Sequence, residues 1–309
     1  LVNQRVHNDQ ILVTVLRSVP QGVARTTGRH ESQRLVHGHG TRVLLGHGNP
    51  NAMHAKACRF RRKSVRHHAR HDVTRIATAA VILAKHHLNA RGTSPTVNID
   101  QENQQKVGSN SQEDTFAYVN GHLDASINQV AVLDALKNHN SEYLYFKTDH
   151  HWTADGAYYA YKELMKAKGM TPSPLTDYTK SEYPGFVGSF YQYSNQSETL
   201  KNNPDTVVAY TPACNDLTYT NTDGQQVSGY VVSDVTKYSE ANKYLCFICG
   251  DQPYERIDNP NITDGSSCVV IKESYGNAFV PFLVNSYQTV HVVDYRYFSG
   301  NLVDLVKDN

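Results

Sequence analysis

Two short segments, about 120 residues apart, carry the side chains of a serine acyl-transfer site. Thr148-Asp149-His150-His151-Trp152 follows the apolar run Tyr143-Leu144-Tyr145-Phe146. Lys272-Glu273-Ser274-Tyr275-Gly276-Asn277 follows Cys268-Val269-Val270-Ile271. A serine hydroxyl is a weak nucleophile until a neighbouring base takes its proton. Histidine titrates near neutrality, and a carboxylate on its far nitrogen fixes the tautomer and stabilises the imidazolium. The two-residue step from Asp149 to His151 brings both side chains to one side of an extended or tightly turned segment and sends His150 to the other. The assignment is therefore Ser274 as nucleophile, His151 as base and Asp149 as its partner. The Tyr275 N–H and the Asn277 side chain are candidate oxyanion donors. Lys272 and Arg296 are candidates for holding an anionic group of the substrate. Trp152 and the aromatic residues 190–193 are candidate platforms for a sugar ring. Each fragment alone has an ordinary reading: a helix cap at Ser274, a hydrogen-bonded turn at Asp-His-His, a core anchor at Trp152, a strand-end ion pair between Asp294 and Arg296. Their co-occurrence carries the chemical reading.

These side chains need strand ends to hold them. Residues 143–147 read as a short strand. Thr153 is placed to cap a helix running to about residue 168, with Ala157, Tyr158, Tyr161, Leu164 and Met165 on its apolar face and Gly169 as its stop. Residues 268–271 are continuously apolar, the pattern of a buried strand. A helix is expected over 276–285, shortened or bent by Pro281. Further strands are expected at 115–119, 207–210, 229–232, 244–248 and 290–293. Helical spacing appears at 127–136, and residues 171–204 read as a long surface excursion. The strand–helix alternation predicts an α/β domain with a largely parallel sheet, in which sites gather at the carboxyl ends of strands. Asp149, His151, Ser274, Asp294 and Arg296 all fall at such ends.

Composition breaks near residue 100. Residues 1–100 hold thirteen of the fifteen Arg and eleven of the sixteen His, and none of the twenty Tyr. They carry about twelve more basic than acidic groups, and the remainder about eleven more acidic than basic. So few large apolar residues bury little surface against the entropy of ordering. The segment is read as disordered or not of native frame, against a nucleic-acid-binding arm or a His-rich metal tract. Residues 76–88 suit a short helix, too short and polar to span a bilayer. No secretory signal is visible. Five cysteines give no closed disulfide framework, and the lone Cys246-Phe-Ile-Cys249 reads as buried apolar side chains. Net charge is +1, so nothing global points to nucleic acid, and none is expected as a partner.

The sequence 148–153 with Gly156-Ala157-Tyr158, the segment 183–193 containing Gly185-Phe186-Val187-Gly188-Ser189, and residues 272–279 and 293–297 together resemble the DHHW family of bacterial proteins. The resemblance covers about residues 113–309. This family is similar to the SGNH-hydrolase-like proteins of exopolysaccharide O-acetylation, including those acting on alginate, whose Asp-x-His pair precedes the catalytic serine. The resemblance implies a three-layer α/β sandwich, with Asp149 and His151 matching the pair, Ser274 the nucleophile and His150 the variable position. It implies an O-acetyltransferase or acetylesterase of extracellular or cell-envelope polysaccharide, with an acyl donor, a polysaccharide acceptor and membrane-associated polysaccharide-modification partners. No cofactor and no metal ion are called for. Family members often carry an N-terminal membrane anchor, and residues 1–100 show none, so the domain is expected to lack its native N-terminal part. The competing readings are a metal-dependent phosphoesterase, which would need further carboxylates for two metals, and a non-catalytic polysaccharide-binding or scaffold protein.

Overall fold

A computed structural model describes residues 10–18, 78–85 and 112–308, residue 126 excepted, with the first two stretches described as backbone. In chain order the strands are β1 Gln10–Ser18, β2 Thr78–Lys85, β3 Asn128–Val130, β4 Thr179–Phe186, β5 Asp205–Thr211, β6 Asp216–Thr220, β7 Gln226–Tyr230, β8 Tyr254–Asp258, β9 Ser267–Lys272 and β10 Thr289–Asp294. The helices are α1 Gln112–Gly121, α2 Val132–Asn138, α3 Ala154–Ala167, α4 Ser189–Tyr193, α5 Glu198–Lys201, α6 Gly276–Leu283 and α7 Leu302–Asp308.

Eight strands form one sheet in the order β3-β2-β1-β9-β10-β8-β6-β7, and β4-β5 make a separate antiparallel ribbon. The sheet is mixed, which corrects the expectation of a largely parallel one. Parallel pairing joins β9 to β10 and β2 to β3. The pairs β1–β2, β1–β9, β10–β8, β6–β8 and β6–β7 are antiparallel. The cause lies in the connections. Parallel neighbours need a crossover, and β9–α6–β10 supplies one. The β6–β7 connection is a tight turn, in which Asn221 Oδ1 accepts from the Asp223 and Gln225 amides at 3.0 and 2.9 Å, an Asx-type turn that reverses the chain.

β9 and β10 are buried along almost their whole length, as a central strand pair must be. α6 packs beside them with every residue buried, Pro281 included. α3 forms as its sequence predicts. The Thr153 hydroxyl accepts from the Gly156 amide at 3.3 Å, and Ala157, Ala160, Tyr161, Leu164 and Met165 face the core. Such a cap contributes about 1 kcal/mol. Gly169, at φ 66°, ends the helix in the left-handed region. A Cβ on Gly156 would lie 2.6 Å from the Leu144 carbonyl oxygen, so this glycine lets the helix start close against the Asp-His-His turn.

Other expectations fail for identifiable reasons. Residues 115–119 lie within α1, and 127–136 divide into β3 and α2. The expected strand over 143–147 reduces to one bridge, Tyr145 to Trp152. Residues 171–204 are not a surface excursion throughout, because β4 pairs with β5 and Phe186, Val187 and Phe190 are buried. Residues 244–246 end a 3-10 helix, Glu240–Cys246, rather than opening a strand. Within 76–88 the chain forms β2, not a helix. A short apolar run does not distinguish the two by periodicity, and Val81 and Ile82 are β-branched. Beyond β1 and β2, the basic segment lies outside the described residues, with Cys58. Cys246 is buried and Cys249 half-buried, both as free thiols. Among the described residues, no helix is long and apolar enough to cross a membrane.

Candidate active site

The Asp-His-His turn is fixed from beneath by an acid that the sequence did not single out. Asp205, buried at the start of β5, accepts hydrogen bonds from the Lys147 amide at 3.1 Å, the Thr148 amide at 2.8 Å and the Thr148 hydroxyl at 2.6 Å. Tyr143 donates its hydroxyl to the same carboxylate. The Tyr145–Trp152 bridge closes the turn, with the Phe146 amide on the His151 carbonyl at 3.2 Å. Asp149 and His151 then project together.

Asp149 Oδ1 accepts from the His151 amide at 2.9 Å and pairs with its Nδ1 at 2.6 Å. Oδ2 accepts from the Ser189 amide, at the start of α4, at 2.8 Å. Gly188 permits this approach, since a Cβ there would fall 2.3 Å from the Asp149 Cβ. Burial opposes ionisation of Asp149, but the charges of His151 and His150 and the donated hydrogen bonds hold its carboxyl well below the usual range. His150 turns toward Ser189, its Nδ1 2.6 Å from the hydroxyl. Burial, with the neighbouring His151, lowers its pKa to about 4.

The second segment meets the first at the end of β9. Ser274 Oγ lies 2.9 Å from His151 Nε2. The His151 ring stacks on Tyr244, centroids 4.0 Å apart and planes 13° from parallel, and the Tyr244 hydroxyl donates to the Ser274 carbonyl at 3.1 Å. Tyr244 thus braces both segments. The serine is followed by a tight turn, with Gly276 N–H on the Glu273 carbonyl at 2.9 Å and Asn277 N–H on the Ser274 carbonyl at 3.2 Å. Gly276 packs against Lys272, which would sit 2.5 Å from an added Cβ.

The structure therefore brings Ser274, His151 and Asp149 into one hydrogen-bonded chain. The remaining candidates lie around it with most of their polar groups engaged, Asn277 Oδ1 being buried without a hydrogen-bond partner. The Tyr275 amide donates to Glu273 Oε1 at 3.0 Å. Asn277 Nδ2 donates to Asp251 at 2.9 Å. Lys272 is fully buried, 3.2 Å from Asp294 and 3.4 Å from Asp251. Arg296 reaches the same two carboxylates at 2.6 and 2.8 Å. Trp152 is fully buried and gives its indole N–H to the Tyr275 carbonyl at 2.9 Å, so it presents no face to a sugar. Phe190 is buried as well, whereas Tyr193 is exposed.

Glu273 stood within the quoted segment 272–277 without a role, because a residue directly beside the candidate serine has no spacing signal of its own. Gly188 and Ser189 lay within a quoted motif without a role. Tyr244, Asp205 and Asp251 belong to no motif. Asp149, His150 and His151 hold ligand atoms within 4.8 Å of one another, a spacing compatible with a metal ion. Their Nδ1 and carboxylate atoms are already committed to one another and to Ser189, and His151 Nε2 to Ser274. A metal would have to break that chain.

A family model described as DHHW protein matches residues 81–293. The chain belongs to the DHHW family. The match begins within β2, earlier than the motifs suggested. A solved DHHW family protein from Eubacterium siraeum DSM 15702 is similar at 32% identity and a TM-score of 0.62, covering 70% of this chain and 71% of that one. Bacillus cereus PatB1 shares the fold at 24% identity and a TM-score of 0.53, covering 64% of this chain and 70% of that one. PatB1 with a sulfonyl adduct matches at 22% identity and a TM-score of 0.52, covering 64% and 68%. A comparison with curated proteins returned no match. For this DHHW chain the likeness to PatB1 is one of fold.

Proposed function

We propose that this DHHW-family chain transfers acyl groups on carbohydrate through Ser274, as an O-acetyltransferase or acetylesterase of cell-envelope or exported polysaccharide. The observation that carries the reading is the double engagement of His151, with Nδ1 on Asp149 at 2.6 Å and Nε2 on Ser274 at 2.9 Å. Those contacts match the geometry in which a histidine accepts a serine proton while a carboxylate holds the tautomer. His151 takes the Ser274 proton as Oγ attacks the acyl carbon. It returns that proton to the leaving group as the acyl-serine forms. It then deprotonates a sugar hydroxyl, or water, for the second half-reaction. Asp149 keeps its negative charge throughout. The resemblance of the family to SGNH-hydrolase-like proteins supports the same residues, a three-layer arrangement, an extracellular or envelope setting, and an acyl donor, a polysaccharide and membrane-associated proteins as partners. Exposed Tyr193, at the end of α4, and Tyr295 and Tyr297, just after β10, suit stacking against sugar rings.

A metal-dependent phosphoesterase has the Asp149–His150–His151 grouping in its favour. It leaves the His151–Ser274 contact without a purpose and ranks second. The test is turnover of an acetyl ester with an oligosaccharide acceptor present, with mass spectrometry of protein and sugar. Acetyl on Ser274, and loss of turnover in Ser274→Ala, are expected. Full activity in Ser274→Ala, or activity that follows added metal, would reject the serine mechanism.

A further inference from the structure

Counting protons around Ser274 exposes a second carboxyl group with a task. Ser274 Oγ lies between His151 Nε2 at 2.9 Å and Glu273 Oε2 at 3.2 Å. A hydroxyl has one hydrogen to donate. If His151 is to act as the base, its Nδ1–H faces Asp149 and its Nε2 must receive the serine hydrogen. The Ser274 oxygen then faces Glu273 Oε2 with no hydrogen between them, unless the carboxyl group supplies it. Glu273 is also pinned in place, because its Oε1 accepts the Tyr275 amide at 3.0 Å. Its side chain therefore occupies the position beside the nucleophile where an oxyanion donor belongs, and it holds the N–H that the sequence had suggested for that role.

Resting on the serine reading above, we infer that Glu273 works as a neutral carboxylic acid, a further catalytic residue that donates Oε2–H to oxygen at the reacting centre. In the resting site the donation is to Ser274 Oγ. When Oγ bonds to the acyl carbon, its proton passes to His151 and the carbonyl electron pair moves onto the acyl oxygen. The Glu273 O–H then hydrogen-bonds that oxyanion without transferring its proton. Collapse of the intermediate restores the carbonyl, and His151 protonates the leaving group. An ionised Glu273 would repel the oxyanion and would have no hydrogen to offer it.

The surroundings favour the neutral form. Glu273 is buried, and burial raises its pKa, opposed by His151, the Tyr275 amide, Arg296 and Lys272. The two cations are each already held by Asp251 and Asp294. Tyr244 and Tyr275, two further titratable groups coupled to it, are both driven by burial well above their usual pKa and stay neutral. A neutral buried acid serving as an oxyanion donor has precedent in enzyme chemistry.

The experiment uses the full chain with Glu273→Gln and Glu273→Ala. Infrared spectroscopy at neutral pH is expected to find a protonated-carboxyl carbonyl band in the wild type that is missing from Glu273→Gln. Acetyl ester turnover in Glu273→Gln, whose amide keeps a donor, is expected within about threefold of wild type. Glu273→Ala is expected to lose about 100-fold, as for one oxyanion donor removed. The wild-type rate should fall as rising pH ionises Glu273, and Glu273→Gln should lack that fall. The inference is overturned if the wild type has no such band, or if the Gln variant, folded as judged by its unfolding midpoint, is as impaired as the Ala variant. If Ser274→Ala retains full turnover, the serine reading fails instead, and the infrared band still decides the charge of Glu273.

Discussion

Two polar clusters meet at the end of β9, one through Ser274 and the other through Lys272. In one, Asp149 and His151 run in a line that ends on the Ser274 hydroxyl. In the other, Lys272 and Arg296 each contact both Asp251 and Asp294. The first is an open chain, whose last member is a group that can react. The second is a closed ring, in which each charge faces opposite charges and Lys272 has no exposure at all. Charge at a strand end is therefore weak testimony of binding or catalysis. What separates the two is where the hydrogen-bond chain terminates. Asp251 marks the junction, tied to the ring and also accepting from Asn277, one helical turn beyond the serine.

The sharpest way to break this comparison is to remove one member from each cluster. His151→Ala is expected to lower acetyl ester turnover by about 10⁴-fold in a protein that remains folded. Lys272→Met is expected to do the reverse, costing about 3–5 kcal/mol of stability in urea unfolding because the buried Asp294 carboxylate loses one of its two cationic partners. Comparable loss of turnover with unchanged stability in Lys272→Met would mean that the ring is part of the chemistry.

Acid titration sharpens the picture of the open chain. His150 has a folded pKa of about 4, against about 6.5 for a free histidine. Below about pH 6.5 the unfolded chain takes up a proton that the folded one refuses, so stability falls as pH drops toward about 4 and levels off beneath it. The loss attributable to His150 is about 2 kcal/mol, allowing for its partial exposure. His150→Gln should flatten that slope in denaturant titrations at a series of pH values. Asp149 works with opposite sense in composition but the same sense in pH. Its depressed carboxyl stabilises the fold fully above the ordinary carboxylate pKa of about 4 and loses that contribution as pH falls below it. The smallest effect concerns the scaffold. Thr153→Ala is expected to cost about 1 kcal/mol through the lost cap on α3, measurable by chemical denaturation, with the Asp149–His151–Ser274 contacts undisturbed.

How far the sequence could be read follows from what each feature depends on. Asp149, His151 and α3 were legible because their signals are local: a two-residue step, a capping threonine and an apolar face at helical spacing. β9, β10 and the turn into α6 were legible because a continuously apolar run before Lys-Glu-Ser reads as a buried strand. The mixed sheet was not, since strand direction depends on which partner a strand finds across the fold, and β1 and β2 come from a segment whose composition argued against order. Asp205 and Tyr244 were missed because their roles arise from contacts across distant parts of the chain, and Glu273 was given no role because its contacts to Ser274 and Tyr275 leave no spacing signal. Lys272, Arg296, Asn277 and Trp152 were picked out by their types, and the structure finds them beside Asp149, His151 and Ser274, engaged with Asp251, Asp294 and the Tyr275 carbonyl.

One measurement bears most directly on Ser274 as an activated nucleophile. The folded chain is treated with a fluorophosphonate or sulfonyl fluoride and the modified residue is located by mass spectrometry, in parallel with His151→Ala. The predicted result is a single adduct on Ser274 that disappears in His151→Ala. A folded wild-type protein that leaves Ser274 unmodified, or that labels equally well without His151, would contradict it.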